Sequence, residues 1–333
     1  MSIFKSNLRT AAIASAFLLT LSAAAQADVA LAGFLNAGSP SSFSITDLQS
    51  FGSTATVTVG DNTYTGVSLY SYLNTYLATD PTVPKNDILR DYVVATGASG
   101  TIVYSLGNLA DANFGTQNSI IAFSDSNGAL SAPSLIATDG AHVFDLTSLS
   151  VGHVDYPGLG TQGPSTSFSV FGDVSNPTTY TAAELPGSLA PHTEFTNPDG
   201  TPLVAGGGQG FTGVSLWDLL VAAGISTNPA TLLKSYVVAT GTDNYASVFG
   251  LEEIMPQYGN RGDLVAYANG SGGSLDSSGF ARIVVPGDTR GGRYVSNLVS
   301  LEVVTVPVPP AVLLMLSGAC VFVFTGRRQR SAA

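Results

Sequence analysis

A strand-rich α+β fold with short helices, built twice in tandem, is what the 333-residue sequence predicts, on three observations. One is a repeated phrase: YTGVSLYSYLNTYL at 64–77 returns as FTGVSLWDLLVAAG at 211–224. Another is that further pieces recur in the same order. DYVVATG at 91–97 returns as SYVVATG at 235–241, IIAFSDSNG at 120–128 as LVAYANG at 264–270, and the run closing at Val151 as the run closing at Val303. The offset stays between about 142 and 152 residues, whereas solenoid repeats recur every roughly 20–50, so the pattern is that of a duplicated domain. The last is that short β-branched runs closed by Gly outnumber stretches with helical spacing.

Each element has a local reason. SFSITDLQSF at 42–51 and YTAAELPGSL at 180–189 set Ser or Thr ahead of an acidic residue and Leu, which predicts a short helix start. TVTVGDNTYTG at 56–66 alternates β-branched and polar residues about a Gly-Asp-Asn turn, which predicts a hairpin. Gly66 and Gly213 are expected to break the strands that carry them. Val214, Leu216, Leu219, Leu220 and Ile225 then keep helical spacing with Asp218 on the opposite face, an amphipathic helix. YVVATG and ARIVVPG predict buried strands, and YVSNLVSLEVV at 294–304 predicts the strand that closes the second unit.

The two ends differ from the rest. Lys5 and Arg9, an apolar run from Ala11 to Leu21 and the small residues SAAAQA have the order of a secretory signal peptide, with cleavage expected between Ala27 and Asp28. At the other end, two X-Pro steps precede an uncharged stretch from Ala311 to Gly326, followed by Arg327, Arg328 and Arg330. Counted from Val304, the stretch is long enough to reach across a bilayer, and the arginines hold its end on the cytoplasmic side. The series Val306, Pro307, Pro309, short span and Arg-rich tail resembles the PEP-CTERM sorting signal of Gram-negative bacteria. That resemblance implies recognition and removal of the tail by an exosortase and release to the cell surface or matrix. Pro310 and the missing Glu depart from the plain form of the signal, and a single-pass anchor is the alternative.

Of 12 basic residues five lie in these ends, so between Asp28 and Val306 seven stand against all 23 acidic ones, a balance of −16. Such a charge disfavours nucleic acid and anionic membrane surfaces as partners. The one Cys, Cys320, lies in the C-terminal apolar stretch, so the exported part has neither disulfide nor thiolate and depends on an apolar core.

Ordered along the second unit are an aromatic-x-Gly-Val-x-Leu helix entry, Gly241-x-Asp243-x-Tyr245, Leu251-Glu252-Glu253, Ala-Tyr-x-Asn-Gly at 266–270, Arg282-x-Val-Val-Pro-Gly287 and Gly-x-Arg-Tyr-Val up to Val295. This series resembles the molybdopterin-binding domain of the sulfite oxidase family over about 100 residues, and more loosely in the first unit. The family's catalytic members carry, upstream of the Gly-Val-x-Leu helix, a Cys that binds molybdenum. Here the corresponding segment, PHTEFTNPDGTPLVAGGGQG at 191–210, has none. The resemblance therefore implies the fold without sulfite-oxidase chemistry, since soft thiolate ligation has no substitute nearby.

Arg261, Arg282, Arg290 and Arg293 gather four of the seven basic residues near the end of the exported part, and GDTRGGR is a Gly-rich loop of the kind that forms anion nests. In the resembled family, basic residues of this region contact the pterin phosphate, so these arginines are the candidate anion site. Pairing with Asp263, Asp288 and Glu302 is the alternative. The first unit has no Arg in the equivalent stretch, with Ala141 opposite Arg293. His142, His153 and His192 lie in separate segments without carboxylates at ligand spacing and are read as surface or satisfied histidines.

The expected organisation is a signal peptide (1–27), a first repeat (28–156), a linker (157–165), a second repeat (166–305) and a sorting tail (306–333). The expected role is binding, of a small anion or a cell-surface or matrix component, with exosortase and signal peptidase as processing partners, no catalytic residues and no metal ligands. No cofactor is expected; molybdopterin is the one the resemblance leaves open, through an enzyme with non-thiolate ligation. A purely structural matrix protein is the third reading.

Overall fold

Among the described residues, hydrophobic periodicity and paired turns are realised as four sheets. The computed structural model describes residues 28–110, 114–138, 140–194, 196–197, 201–203 and 210–307. The expected signal peptide, with Ala27, and the tail residues Pro309, Arg327, Arg328 and Arg330 lie outside the described residues; Asp28, Val306 and Pro307 lie within them.

One five-stranded sheet has the order β2 (Ser42–Phe43), β1 (Val29–Gly33), β9 (Leu146–His153), β5 (Asp91–Gly97) and β6 (Gly100–Ser105). Another has the order β11 (Thr178–Thr181), β10 (Ser167–Gly172), β18 (Leu298–Thr305), β14 (Ser235–Gly241) and β15 (Ala246–Gly250). In both, the first and last long strands of the unit pair parallel, β1 with β9 and β10 with β18. Each is accompanied by a four-stranded antiparallel sheet. The first is ordered β3 (Ala55–Val59), β4 (Asn62–Ser68), β7 (Ser119–Asp125), β8 (Gly128–Ala137), and the second β12 (His192–Glu194), β13 (Phe211–Ser215), β16 (Leu264–Asn269), β17 (Arg282–Val284).

The helices are short: α1 (Ile45–Ser50), α2 (Leu69–Asn74), α3 (Leu106–Leu109), α4 (Leu185–Ser188), α5 (Leu216–Ala222), α6 (Pro229–Leu232) and α7 (Leu251–Ile254). The fold is α+β. Among the described residues no helix is long and apolar enough to cross a membrane. α1 starts as its sequence predicts, with Ser44 and Asp47 forming a reciprocal capping box.

The repeated TGVS phrase now has a physical explanation. Gly66 and Gly213 do not break their strands. They lie inside β4 and β13, where the pairing register slips against β7 and β16. A Cβ on Gly66 would sit 2.1 Å from the Ile121 carbonyl oxygen, and one on Gly213 2.4 Å from that of Val265, so only glycine lets the neighbouring backbone this close. Two residues on, Ser68 and Ser215 cap α2 and α5, each hydroxyl accepting from the backbone N–H three residues ahead at 3.2 Å. The phrase thus encodes a bulge, a strand end and a helix cap in five residues. Leu69, Leu73, Leu216, Leu219 and Leu220 then face the cores.

Each four-stranded sheet and its helices close over one face of the larger sheet to form two main apolar cores, one including Leu31, Phe43, Leu73 and Tyr104, the other Phe168, Phe249, Leu264 and Val295. A smaller cluster joins them: Val94 and Val103 of the first sheet meet Tyr236, Val238, Ala246 and Val248 of the second, with Tyr92 and Tyr236 stacked at 4.3 Å. β6 and β15 pack against each other at this junction.

Gly66→Ala and Gly213→Ala are each expected to cost about 1–3 kcal/mol, because the added methyl meets backbone that cannot rotate away. Gly187→Ala in α4, where a Cβ meets nothing within 4 Å, is expected to be neutral or stabilising by up to about 1 kcal/mol. Urea midpoints of the three variants check both statements.

Candidate functional site

The arginines singled out by the sequence do not share one surface. Arg293 ends a 3-10 turn, Gly291–Arg293, and has no exposure. Its Nε and Nη2 donate to the two oxygens of Asp288 at 2.9 and 2.7 Å, and its Nη1 donates to Glu253 Oε2 at 2.6 Å. Its guanidinium also lies 5.3 Å from the Phe249 ring centroid. Arg261 is buried beside it, with Nη1 4.0 Å from Asp288 Oδ1 and Nη2 donating to Thr116 Oγ1 at 3.1 Å. Arg282 stands apart between the rings of Phe211 and Tyr294 and donates to Ser278 Oγ at 3.2 Å. Arg290 is exposed. The pairing of Arg293 with Asp288 is therefore real, but in the interior, where it holds structure together and leaves no guanidinium face for an incoming anion.

Glu253 makes this cluster a link between halves. Its Oε1 accepts from the Gly250 N–H at 2.9 Å, capping α7, and from Ser105 Oγ of the first half at 3.0 Å. Gln117 Nε2, also from the first half, donates to Glu252 Oε2 at 3.3 Å. Asp263 lies in the same interior with both carboxyl oxygens lacking a hydrogen bond. Burial pushes its carboxyl up to about 8 against the opposing pull of Arg293, so it holds a proton at neutral pH.

Open space lies elsewhere along the junction. Two adjoining chambers of about 320 and 180 Å³ form one cleft, and both are lined by Lys85, Asp243, Tyr245 and Asn297, with Arg90 and Tyr156 walling the larger. None of the four sequence-chosen arginines lines it. The Gly-x-Asp-x-Tyr series of the sequence is the turn that builds one wall: Asn244 takes φ +60°, and Asp243 Oδ1 accepts the Tyr245 N–H at 3.0 Å. Tyr245 then ties both halves together, its hydroxyl accepting from Asn86 Nδ2 at 2.8 Å and donating to the Gly292 carbonyl at 2.5 Å. Arg90 braces the opposite wall, with Nη1 donating to the Val154 and Asp155 carbonyls at 3.2 and 3.0 Å and Nη2 to the Asn244 carbonyl. Lys85 Nζ sits 5.0 Å from the Tyr245 ring centroid and, among the described residues, has no carboxylate partner. Lys85 and Arg90 line the cleft together with Asp243, and Asp80 and Asp87 lie close enough to Arg90 to offset its charge, so Lys85 is the cation the cleft presents.

The histidines divide. His192 is exposed beside Glu194 at 2.5 Å, and His142 Nδ1 accepts the Ala137 N–H at 3.2 Å. His153 is buried and collects three aspartates, an arrangement its sequence neighbourhood did not reveal. Lys85 and the cleft were also missed; a lone Lys in a Pro-rich turn carries no sequence signal.

No family model matches the chain, and no curated protein matches it. Among solved structures, the sulfane dehydrogenase SoxCD from Paracoccus pantotrophus shares a TM-score of 0.31 and 20% identity over 47% of this chain and 42% of that chain. The chain thus spans less than half of that protein's length, a weak likeness that leaves the site to be read from its own residues.

Arg293→Ala strips Asp288 and Glu253 of their hydrogen-bonded counter-charge, with Arg261 remaining 4.0 Å from Asp288, and is expected to destabilise by about 3–5 kcal/mol, while Arg290→Ala stays within about 0.5 kcal/mol. Because the folded Asp263 binds its proton more tightly than the unfolded chain, its contribution is complete below about pH 4 and is lost as pH rises towards 8. Asp263→Asn is therefore expected to flatten the fall in stability between those values, by about 1 kcal/mol per pH unit. Chemical denaturation across that range measures it.

Proposed function

We propose that this is an exported cell-surface or matrix protein of two tandem sulfite-oxidase-like molybdopterin-binding folds, which binds a small anion in the cleft between its halves and is not a catalyst. The observation that carries the reading is Lys85: an exposed cation that, among the described residues, has no carboxylate partner and lines a cleft shared with Arg90. An ammonium at the rim of such a cleft recognises carboxylate, sulfate or phosphate groups. The identical order of the two five-stranded sheets and the matched bulges support the duplication. The signal-like start and the Arg-ended tail support export through a signal peptidase and an exosortase.

The residues present do not fit the family's metal cofactor. Between 28 and 307 the chain has no thiol to bind molybdenum, and Arg293, the arginine expected at a pterin phosphate, is wholly buried on Asp288 and Glu253. The anion site therefore moves from Arg282, Arg290 and Arg293 to Lys85.

Full-chain protein from its own secretion route is expected to contain no stoichiometric molybdenum and to melt higher with inorganic phosphate, sulfate or a small dicarboxylate. At a hundredfold excess over Kd the gain is about 2.7 kcal/mol. Lys85→Ala is expected to abolish the shift, and paired Arg282→Ala and Arg290→Ala to leave it intact. Equal shifts in parent and Lys85→Ala would remove the cleft from the reading; one molybdenum per chain would remove the non-catalytic role.

A further inference from the structure

We propose that His153, Asp80 and Asp87 form a divalent metal site of the zinc class, with Asp91 as the carboxylate that orients the histidine. Some polar atoms of these side chains are already occupied. His153, at the end of β9, lies directly across from Asp91, the first residue of β5, and its Nδ1 is hydrogen-bonded to Asp91 Oδ1 at 2.7 Å. Asp80 Oδ1 accepts the Thr82 N–H and Oγ1 at 2.8 and 2.7 Å. Asp87 Oδ2 accepts the Asp80 N–H at 2.8 Å.

Each of the three side chains thus has one polar atom fixed and one left over, and the remaining atoms converge. His153 Nε2 is 3.9 Å from both Asp80 Oδ2 and Asp87 Oδ1. His153 Nε2 and Asp87 Oδ1 are buried with no hydrogen-bond partner, and the His153 side chain is only 6% exposed. Its ring is held from one side by Phe34, stacked at 4.2 Å. Polar atoms in such positions are costly unless a ligand meets them.

The chemistry points to zinc or manganese. One imidazole nitrogen with two carboxylate oxygens suits these cations better than calcium, which takes six or more oxygens. The Asp91 contact is the outer-shell carboxylate that metal-binding histidines use to fix the free nitrogen as an electron-pair donor. Three aspartates are gathered here against Arg90, whose donors go to the Val154, Asp155 and Asn244 carbonyls, so a dication supplies the missing positive charge. Among the described residues no trio already stands at metal-bonding spacing. Ligands about 2.0–2.1 Å from a tetrahedral zinc lie roughly 3.3 Å apart, so the site must contract by about half an ångström. Asp80 can supply that movement, being on a surface turn with its side chain 22% exposed.

The second half contains an internal control. Ser235 and Thr305 occupy the register of Asp91 and His153, and their hydroxyls bond each other at 2.9 Å. The Ser235–Thr305 pair leaves no polar atom over, whereas the Asp91–His153 pair leaves the imidazole Nε2 without a partner, so one site per chain is expected.

The test uses the full chain without an affinity tag, stripped with EDTA and dialysed against zinc chloride or manganese chloride, with metal content and titration calorimetry as readouts. The expected result is one equivalent of retained zinc or manganese per chain, binding weakened at least tenfold in His153→Ala and Asp87→Asn, and binding about 10–100-fold weaker in Asp91→Asn. Absence of retained metal in the parent overturns the site. So does retention unchanged in these variants, or lost only in His192→Ala at the exposed His192–Glu194 pair. Should near-ultraviolet circular dichroism show that His153→Ala does not fold, Asp80→Asn on the surface turn decides: unchanged affinity there overturns the site, and a tenfold loss supports it.

Discussion

The constraint on which the rest of the structure depends is the burial of the Arg293 charge. A guanidinium without exposure is tolerable only when carboxylates surround it, and Asp288 and Glu253 do so from two different elements, the loop before the 3-10 turn and α7. Because Glu253 also accepts from Ser105, the ion pair inside the second half reaches the first half through a hydrogen bond. Polar geometry of this kind sets orientation, while the cluster of Val94, Val103, Val238 and Val248 supplies non-directional burial. Backbone bonds add register: the Val103 N–H donates to the Leu233 carbonyl at 2.8 Å, and the Thr289 N–H to the Phe114 carbonyl at 2.7 Å. With no disulfide between 28 and 307, these contacts join the halves together with the bonds of Tyr245 to Asn86, Arg90 to Asn244, Gln117 to Glu252 and Arg261 to Thr116.

Like wiring with unlike side chains sets the two halves apart. Ser105 opens α3 with its own hydroxyl, accepting from Asn108, whereas Gly250 opens α7 with no side chain and relies on Glu253 to reach back. The glycine has a second cause: a Cβ there would sit 2.7 Å from the Val103 carbonyl oxygen. The β6 end therefore comes close to α7 only because the cap was moved from the first to the fourth position. The same logic separates Asp91 and His153 from Ser235 and Thr305. The strand pairing is kept, and the chemistry placed on it is not.

What could be read in advance was local. The Gly-Asp-Asn hairpin, the capping box at Ser44 and the helix after TGVS all follow from neighbours within a turn or two, and all are present. The role of Gly66 was misjudged because the reason for the glycine is the backbone of β7, about 55 residues away in sequence. The site suffered the same limit. Arg293 and Glu253 are 40 residues apart, His153 and Asp91 62, Asn86 and Tyr245 159. Clustering of arginines in sequence pointed to an anion, while the fold turned one inward to carboxylates and left another in solvent. Composition gives the charge of a region but not the direction in which a side chain faces.

The segment from Asp80 to Arg90 joins the two proposed sites. Asp80 and Asp87 face His153, while Lys85, Asn86 and Arg90 between and beside them face the cleft. Asn86 takes φ +55° there, a conformation that an Asn side chain tolerates better than most, and its amide then reaches Tyr245. A cation drawing Asp80 and Asp87 towards His153 would fix both ends of the short span that carries Lys85. Ordering that span before an anion arrives lowers the conformational entropy lost on binding, so the two ligands would bind with positive coupling without any change in contacts between them. The coupling runs one way in space and both ways in thermodynamics: an anion on Lys85 must raise the affinity for the cation by the same factor.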